Sequence, residues 1–239
     1  MVYTKPARPG RVKTRLVGSE PGELTAEQAA QLHQAFLEDL VQRLEPGSFA
    51  LTLAWALDED DDIPRWPPAE AADEGGSAVS GVRQEGENLG RRLFNGLFQA
   101  AREHRFVAAV GSDHPELELA TVERAFAVLA AGAPVVLGPA EDGGYYLVAV
   151  AREHLAAKLF EDIPWSTGEV LSRTLERCHE LGLNPELLPP GADVDDAADL
   201  ARLERRLAAG EAPDCPRTRR LLESWGRWSP APGAVEVTR

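Results

Sequence analysis

Lys5, Arg8, Arg11, Lys13 and Arg15 all precede the first acidic residue, Glu20, in the run KPARPGRVKTRL over residues 5–16. Two later segments carry acidic side chains suited to work with such a loop. GSDHP, residues 111–115, directly follows the apolar run 106–110, and Asp193-Val-Asp195 stands just before a late helix. Phosphate groups need cations and backbone N–H donors, and a divalent metal needs carboxylate oxygens. Brought together, the three segments make a candidate site for a phosphorylated, metal-associated ligand.

Gly10 and its flanking prolines shape a tight turn after the first strand, and Lys13 and Arg15, two residues apart, can point to one phosphate chain from an extended loop. Lysine supplies a mobile point charge, arginine a planar fork for paired oxygens. Neither the P-loop spacing nor G-x-G-x-x-G is present, so the alternative of a solvated basic loop stays open. Asp113, exposed at a strand end, is placed to hold a metal, or else to cap a turn. His114 reads as a packing or hydrogen-bonding residue of the same loop. Asp193 and Asp195 alternate around Val194, so their carboxylates share one side of extended backbone, while Asp195 or Asp196 caps the next helix. Magnesium takes one or two protein carboxylates and fills its shell with water and phosphate.

Two further loops are candidates. Glu141, Asp142, Gly143 and Gly144 form either a substrate loop, where glycines let backbone approach a ligand, or an ordinary hairpin turn. Gln84 and Asn88, in the stretch 84–90 with Gly86 and Gly90, carry amides that can read a nucleobase edge, or belong to a capped loop.

The elements that must position these residues alternate. Residues 2–4 read as the end of a strand, either clipped or preceded by a start assigned too late. Thr25 and Gln28 form a capping box for a helix with Ala29, Leu32, Phe36, Leu40 and Leu44 at helical spacing, closed by Pro46-Gly47. Strands are expected over 49–57, 79–83, 106–110, 135–137, 145–150 and 184–188. Helices are expected over 89–103, 117–131, near 153–160, after a capping box at Ser166 and Glu169, and over 197–208. Residues 58–77 read as an acidic Pro/Gly-rich surface loop, without the alternating ligand pattern of a calcium loop. From residue 210 the chain reads as an irregular tail with a short amphipathic piece over 219–225. Strand–helix alternation predicts one α/β domain over 1–209, followed by a C-terminal tail, 210–239. In a mostly parallel sheet the ligand lies at the carboxyl ends of the strands, the edge that all the candidate loops follow.

The net charge of −14 over 239 residues argues against a nucleic-acid partner and against an anionic membrane surface. Cys178 and Cys215 lie far apart, no run approaches the roughly 18 apolar residues of a membrane span, and no signal-peptide pattern opens the chain. A cytoplasmic protein is expected. Five scattered histidines give no H-x-x-x-H pair for zinc.

The combination KPARPGRVKTRL (5–16), GSDHPEL (111–117), LGPAEDGGYYL (137–147), IPWST (163–167) and DVDDAADL (193–200) resembles a bacterial family of the nucleotide-diphospho-sugar transferase superfamily, often labelled arsenosugar-biosynthesis glycosyltransferases. More distantly it is similar to the 2-phospho-lactate and molybdenum-cofactor guanylyltransferases. The resemblance implies a three-layer α/β/α sandwich of glycosyltransferase-A type. It implies Lys13 and Arg15 on phosphate, Asp113 on metal, and Asp193 or Asp195 completing a Mg²⁺ (or Mn²⁺) site, with Lys13 and Asp113 as the expected catalytic residues. Two departures stand out: the family usually has a longer apolar first strand, and commonly Cys where His114 stands. The expected activity is transfer from a nucleotide-diphosphate sugar to a small-molecule acceptor. The alternatives are nucleotidyl transfer to a phosphorylated acceptor with release of pyrophosphate, and a non-catalytic nucleotide-binding module. Nucleobase, sugar, acceptor, stereochemical outcome and oligomeric state are not encoded legibly.

Overall fold

The computed structural model describes residues 1–18, 23–67 and 79–228. Part of the predicted acidic loop (68–77), Glu20 and the end of the tail (229–239) lie outside them. Among the described residues seven strands form one sheet in the order β3-β2-β1-β4-β6-β5-β7. They are β1 (Val2–Thr4), β2 (Thr52–Trp55), β3 (Ser80–Arg83), β4 (Phe106–Gly111), β5 (Val135–Pro139), β6 (Tyr145–Ala151) and β7 (Glu186–Leu187). Pairing is parallel from β3 through β2 and β1 to β4, and between β5 and β7. Strand β6 runs antiparallel to both β4 and β5. Its direction follows from the short connection 140–144, since a parallel return needs a crossover of about a dozen residues or more. The other six strands therefore end on one edge.

Helices α1 (Ala26–Leu44) and α3 (Leu119–Ala130) cover one face, α2 (Leu89–Ala101) and α4 (Val170–Glu180) the other. Successive side chains of a strand serve opposite faces. Ala108 and Val110 of β4, with Leu147 and Ala149 of β6, pack toward α1 and α3. Val107, Ala109, Val148 and Val150 pack toward α2 and α4. Burial on both faces explains why these strands are continuous apolar runs. A third cluster joins the far side of α1 (Ala29, Leu32, Phe36) to α5 (Ala197–Ala209) and α6 (Pro216–Ser224).

The capping box of Thr25 and Gln28 forms as predicted. Several local expectations do not. The box at Ser166 and Glu169 is absent: Glu169 is the N-cap without a side-chain bond, and Ser166 has φ +65°. Thr167 instead donates to the Pro164 carbonyl at 2.7 Å, closing a separate turn before the helix. The expected helix near 153–160 is two 3-10 turns, Arg152–His154 and Ala157–Phe160. Strands β2 and β7 are shorter than predicted, being limited to the registers that their neighbours offer. The tail after residue 210, expected to be irregular apart from an amphipathic piece over 219–225, contains α6, which starts earlier, at Pro216. Its first turn is held by buried Asp39 of α1, which accepts from the Arg217 and Thr218 N–H groups (both 2.9 Å) and from the Thr218 hydroxyl (2.7 Å). Among the described residues no helix is long and apolar enough to cross a membrane, and both cysteines are buried, unpaired thiols.

Candidate active site at the carboxyl edge of the sheet

The loop leaving β1 does not stay extended. Gly10 has φ +73° with open space around it, and Arg11 N–H donates to the Arg8 carbonyl at 3.0 Å, giving the expected turn. Lys13 then adopts the left-handed region (φ 48°, ψ 37°) and opens a 3-10 turn, Thr14–Leu16, anchored by fully buried Leu16. This coil replaces the predicted extended arrangement, and the two cations, which both meet Asp195, differ in exposure. The Lys13 side chain is 2% exposed and the Arg15 side chain 67%.

Segment 188–195 follows β7 along the same edge. Leu188 N–H bonds the Leu137 carbonyl (2.9 Å), Gly191 N–H the Pro139 carbonyl (2.8 Å), and Val194 N–H the Asp113 carbonyl (3.0 Å). Val194 is buried, which turns its neighbours outward. Asp195 is thereby carried to Asp113 across the carboxyl ends of β5 and β4. Between them stands the Lys13 ammonium. It contacts Asp113 Oδ1, donates to the Val194 carbonyl at 2.7 Å and lies 3.4 Å from Asp195 Oδ1. The second oxygen of Asp195 is 2.5 Å from Arg15. The ammonium is therefore enclosed by protein acceptors, in place of the mobile point charge read from sequence.

Asp193 is not drawn into this group. Its Oδ1 lies 3.4 Å from His114 Nδ1, which also meets the Ala192 carbonyl at 2.8 Å. His114 is buried and stacks on Tyr146 (4.6 Å between centroids), in the packing role expected of it. Asp196, rather than Asp195, caps α5 through a capping box with Asp199.

The remaining predicted residues line the same edge with their polar groups already engaged. The Gln84 amide donates to the carbonyls of Ala54 (2.8 Å) and Thr4 (3.2 Å), tying β3, β2 and β1 together. Asn88 is the N-cap of α2, accepting from Arg91 N–H at 2.9 Å. Glu141 to Gly144 form the turn of the β5–β6 hairpin. Asp142 accepts from Gly144 N–H at 2.9 Å, and Glu141 lies 3.3 Å from Arg202. Gly143 has φ +88°, and a Cβ there would stand 2.2 Å from the Gly168 carbonyl oxygen, so this turn and the loop before α4 approach as only glycine allows.

Two features were not read from sequence. The acidic run after β2 is the partner of the basic loop: Asp61 lies 2.6 Å from Arg8, and Asp58 2.6 Å from Arg11. His33, on the buried side of α1, presents Nε2 to the Lys5 carbonyl (3.1 Å) and the Thr4 hydroxyl (3.2 Å). Its Nδ1 is buried without a hydrogen-bond partner, 3.9 Å from Asp113 Oδ1. The available signal was a polar residue within the apolar stripe Ala29, Phe36 and Leu40, at helical spacing.

These neighbours set the charges. Burial pushes the Asp113 carboxyl upward, but the Lys13 ammonium beside it outweighs this and holds it below the usual carboxylate range. Burial raises Asp195, nearby Asp113 and Asp193 add to this, and Lys13 and Arg15 offset only part. Burial lowers His33 below the ordinary imidazole value, so it is neutral at neutral pH. With Nε2 directed at a carbonyl, Nδ1 carries the lone pair.

The donor set suits Mg²⁺ or Mn²⁺ in type, being hard carboxylate oxygens of Asp113 and Asp195 brought together at one edge of the sheet. Among the described residues no group of three or more His, Cys, Asp or Glu side chains is placed to hold an ion alone. A bound ion would rely on Asp113 and Asp195, with water and phosphate completing its shell.

The sheet order, with a single reversed strand and the charged loops gathered at one edge, defines the nucleotide-diphospho-sugar transferase fold and places this chain among the transferases. The chain belongs to the family described as uncharacterized proteins conserved in bacteria (DUF2064), whose model matches residues 40–167. That match includes Asp113 and the 141–144 turn, but neither Lys13 nor Asp195. A protein from Desulfovibrio desulfuricans G20, provisionally described as a nucleotide-diphospho-sugar transferase, has a similar structure. It is 27% identical with a TM-score of 0.78, over 93% of this chain and 94% of that one. A cytidylyltransferase from Leptospira borgpetersenii serovar Hardjo-bovis shares the fold at 13% identity and TM-score 0.54, over 95% of this chain and 92% of that one. So does a CMP:2-keto-3-deoxy-manno-octonic acid synthetase complexed with CTP, at 15% and 0.51, over 88% and 97%. No curated protein matches the chain.

Proposed function

We propose that this protein transfers a glycosyl group from a nucleotide-diphosphate sugar to a small-molecule acceptor, with Mg²⁺ or Mn²⁺ at Asp113 and Asp195. The observation that carries the reading is the convergence of those two carboxylates, 82 positions apart in sequence (195 − 113), beside the cationic loop that leaves β1. A divalent ion there would neutralise charge developing on a departing diphosphate. Arg15, exposed and ordered by Asp195, presents a fork for phosphate oxygens. Lys5, Arg8 and Arg11 line the outer loop. Gly143 and Gly144 bring backbone to the same edge of the sheet, where an acceptor would lie, and the exposed carboxylates Glu141 and Asp142 face solvent beside it. A cytoplasmic setting accords with the two unpaired buried thiols.

Nucleotidyl transfer is the second reading, and the basic loop favours it. Arg8, Arg11 and Arg15 together offer more cationic forks than a diphosphate needs, and a triphosphate would use them. Incubation with Mg²⁺ and either UDP-glucose, GDP-mannose, GTP or CTP, followed by ³¹P NMR and thermal shift, separates the two. Metal-dependent stabilisation by the nucleotide sugars, lost in Asp113→Asn, is the expected result. A response confined to triphosphates would replace the glycosyl reading with the nucleotidyl one.

A further inference from the structure

Lys13 holds a position that has the make-up of a cation site. Three chain segments supply its acceptors: Asp113 after β4, the Val194 carbonyl at 2.7 Å, and Asp195 Oδ1 at 3.4 Å. His33 Nδ1, buried and without a hydrogen-bond partner, lies 3.9 Å from the same Asp113 oxygen. Two carboxylates and a carbonyl are the oxygen types that hard divalent cations take. The backbone that delivers Lys13 is in the left-handed region, which a residue bearing a Cβ seldom enters. Phe36 lies under the ammonium, 5.8 Å from Nζ to ring centroid.

We propose that Lys13 is the resident cation of this site: it keeps Asp113 and Asp195 converged in the metal-free protein and competes with a divalent ion for the same oxygens. The inference rests on reading Asp113 and Asp195 as metal ligands. Two carboxylates sharing a site repel unless a cation stands between them, and a positive charge on a tethered side chain is always at hand. The tether gives that charge a second use. Outside the acceptor group, Nζ would join Arg15 on the exposed side of the loop, where a phosphate would lie. The charge at the carboxylates and the charge offered to phosphate are thereby linked through one side chain.

The test is Mn²⁺ binding without nucleotide, measured by electron paramagnetic resonance of the free ion, for wild type and Lys13→Met. Apparent affinity falls by the fraction of molecules whose site is open, so removal of the ammonium is expected to tighten Mn²⁺ binding by about tenfold, or ~1.4 kcal/mol. A folded Lys13→Met that binds Mn²⁺ no more tightly than wild type overturns the proposal. A second measurement uses the wild-type chain, so it stands even if the variant fails to fold. Amine-reactive labelling read by mass spectrometry should find Lys13 protected alone and modified faster in saturating Mg²⁺; equal protection in both overturns the proposal. A third arm, wild type with Mn²⁺ plus CTP or UDP-glucose, separates the two levels of failure. Binding there without a gain in Lys13→Met removes only the resident cation, whereas no binding in any arm removes the metal site with it.

Discussion

Replacing Asp113 by Asn keeps the shape of the side chain and removes its charge from beside Lys13. The ammonium would retain the Val194 carbonyl at 2.7 Å and the more distant Asp195 oxygen at 3.4 Å. Breaking a fully buried ion pair costs roughly 3–5 kcal/mol, and an exposed one roughly 0–1 kcal/mol. The Lys13 side chain is 2% exposed and that of Asp113 47%, so the pair falls between these limits. Discounted for solvent on the Asp113 side, a cost of about 2 kcal/mol is expected. With a urea m-value of about 2–3 kcal/mol/M, the midpoint should fall by roughly 0.7–1 M. A double-mutant cycle with Lys13→Met isolates the pair, since the double variant leaves no stranded ammonium, and its coupling energy should be about 1.5–2 kcal/mol. The sign with pH is fixed by the depressed Asp113 carboxyl. Its contribution is present above the unfolded value near ~4 and is lost as pH falls through the lower folded value, so the wild-type advantage over Asp113→Asn should shrink in acid. A coupling below about 0.5 kcal/mol at neutral pH would mean that the ammonium meets Asp113 through solvent, and the reasoning would be refuted.

Arg15→Ala should leave stability within about 0.5 kcal/mol, because its pair with Asp195 is largely exposed. The same variant should weaken binding of the true nucleotide donor by about tenfold; calorimetric titration beside urea unfolding checks both. Gly143→Ala should cost about 2–4 kcal/mol, from a Cβ directed at the Gly168 carbonyl and a φ of +88°, and a midpoint like that of wild type would dismiss the close approach. Asp39→Ala strands the N–H groups of Arg217 and Thr218 and should lower stability by about 3 kcal/mol, seen as early loss of α6 amide protection in hydrogen exchange. Burial raises both Cys178 and Cys215 to about 11, so neither thiol should react with a disulfide reagent at pH 8 until the protein unfolds; rapid native-state labelling at either position would contradict that burial.

What the sequence made legible was organisation, and what it hid was local conformation and long-range capping. The apolar runs 106–110 and 145–150 were legible as strands, which the structure buries on both faces, and the short 140–144 connection carried the reversal of β6. The convergence of Asp113 and Asp195 was readable for the same topological reason: parallel strands end on one edge. The backbone at Lys13 was not readable as it stands, because nothing in K-T-R-L announces a left-handed lysine. Its conformation follows from Leu16 being drawn into the core and from acceptors some 100 and 180 positions away. Asp193 parted from Asp195 for a comparable reason, since His114 is a nearer partner. Helix α6 was legible only as an amphipathic piece over 219–225, because its start at Pro216, where a missing N–H costs nothing, is fixed by a cap from Asp39 in another helix.

The charge balance of the site gives these particulars a common cause. A chain with net charge −14 that concentrates cations in one loop invites the reading that the loop awaits an anion. Yet Arg8 and Arg11 are matched by Asp61 and Asp58, Lys13 by Asp113, and Arg15 by Asp195. The protein's own carboxylates already stand where phosphate oxygens would. Three of these contacts, those of the arginines, lie at the surface, where an ion pair is worth about 1 kcal/mol or less, so a polyphosphate able to meet several forks at once can exchange with them at little cost. The Lys13 contact is buried and is not exchanged so cheaply. The outer loop can therefore accept an anion on charge alone, whereas the inner pair changes partner only when another cation satisfies Asp113 and Asp195. With Asp113 and Asp195 as the proposed metal ligands, such an order, outer arginines first and lysine last, would tie engagement of phosphate at the inner site to the arrival of the ion.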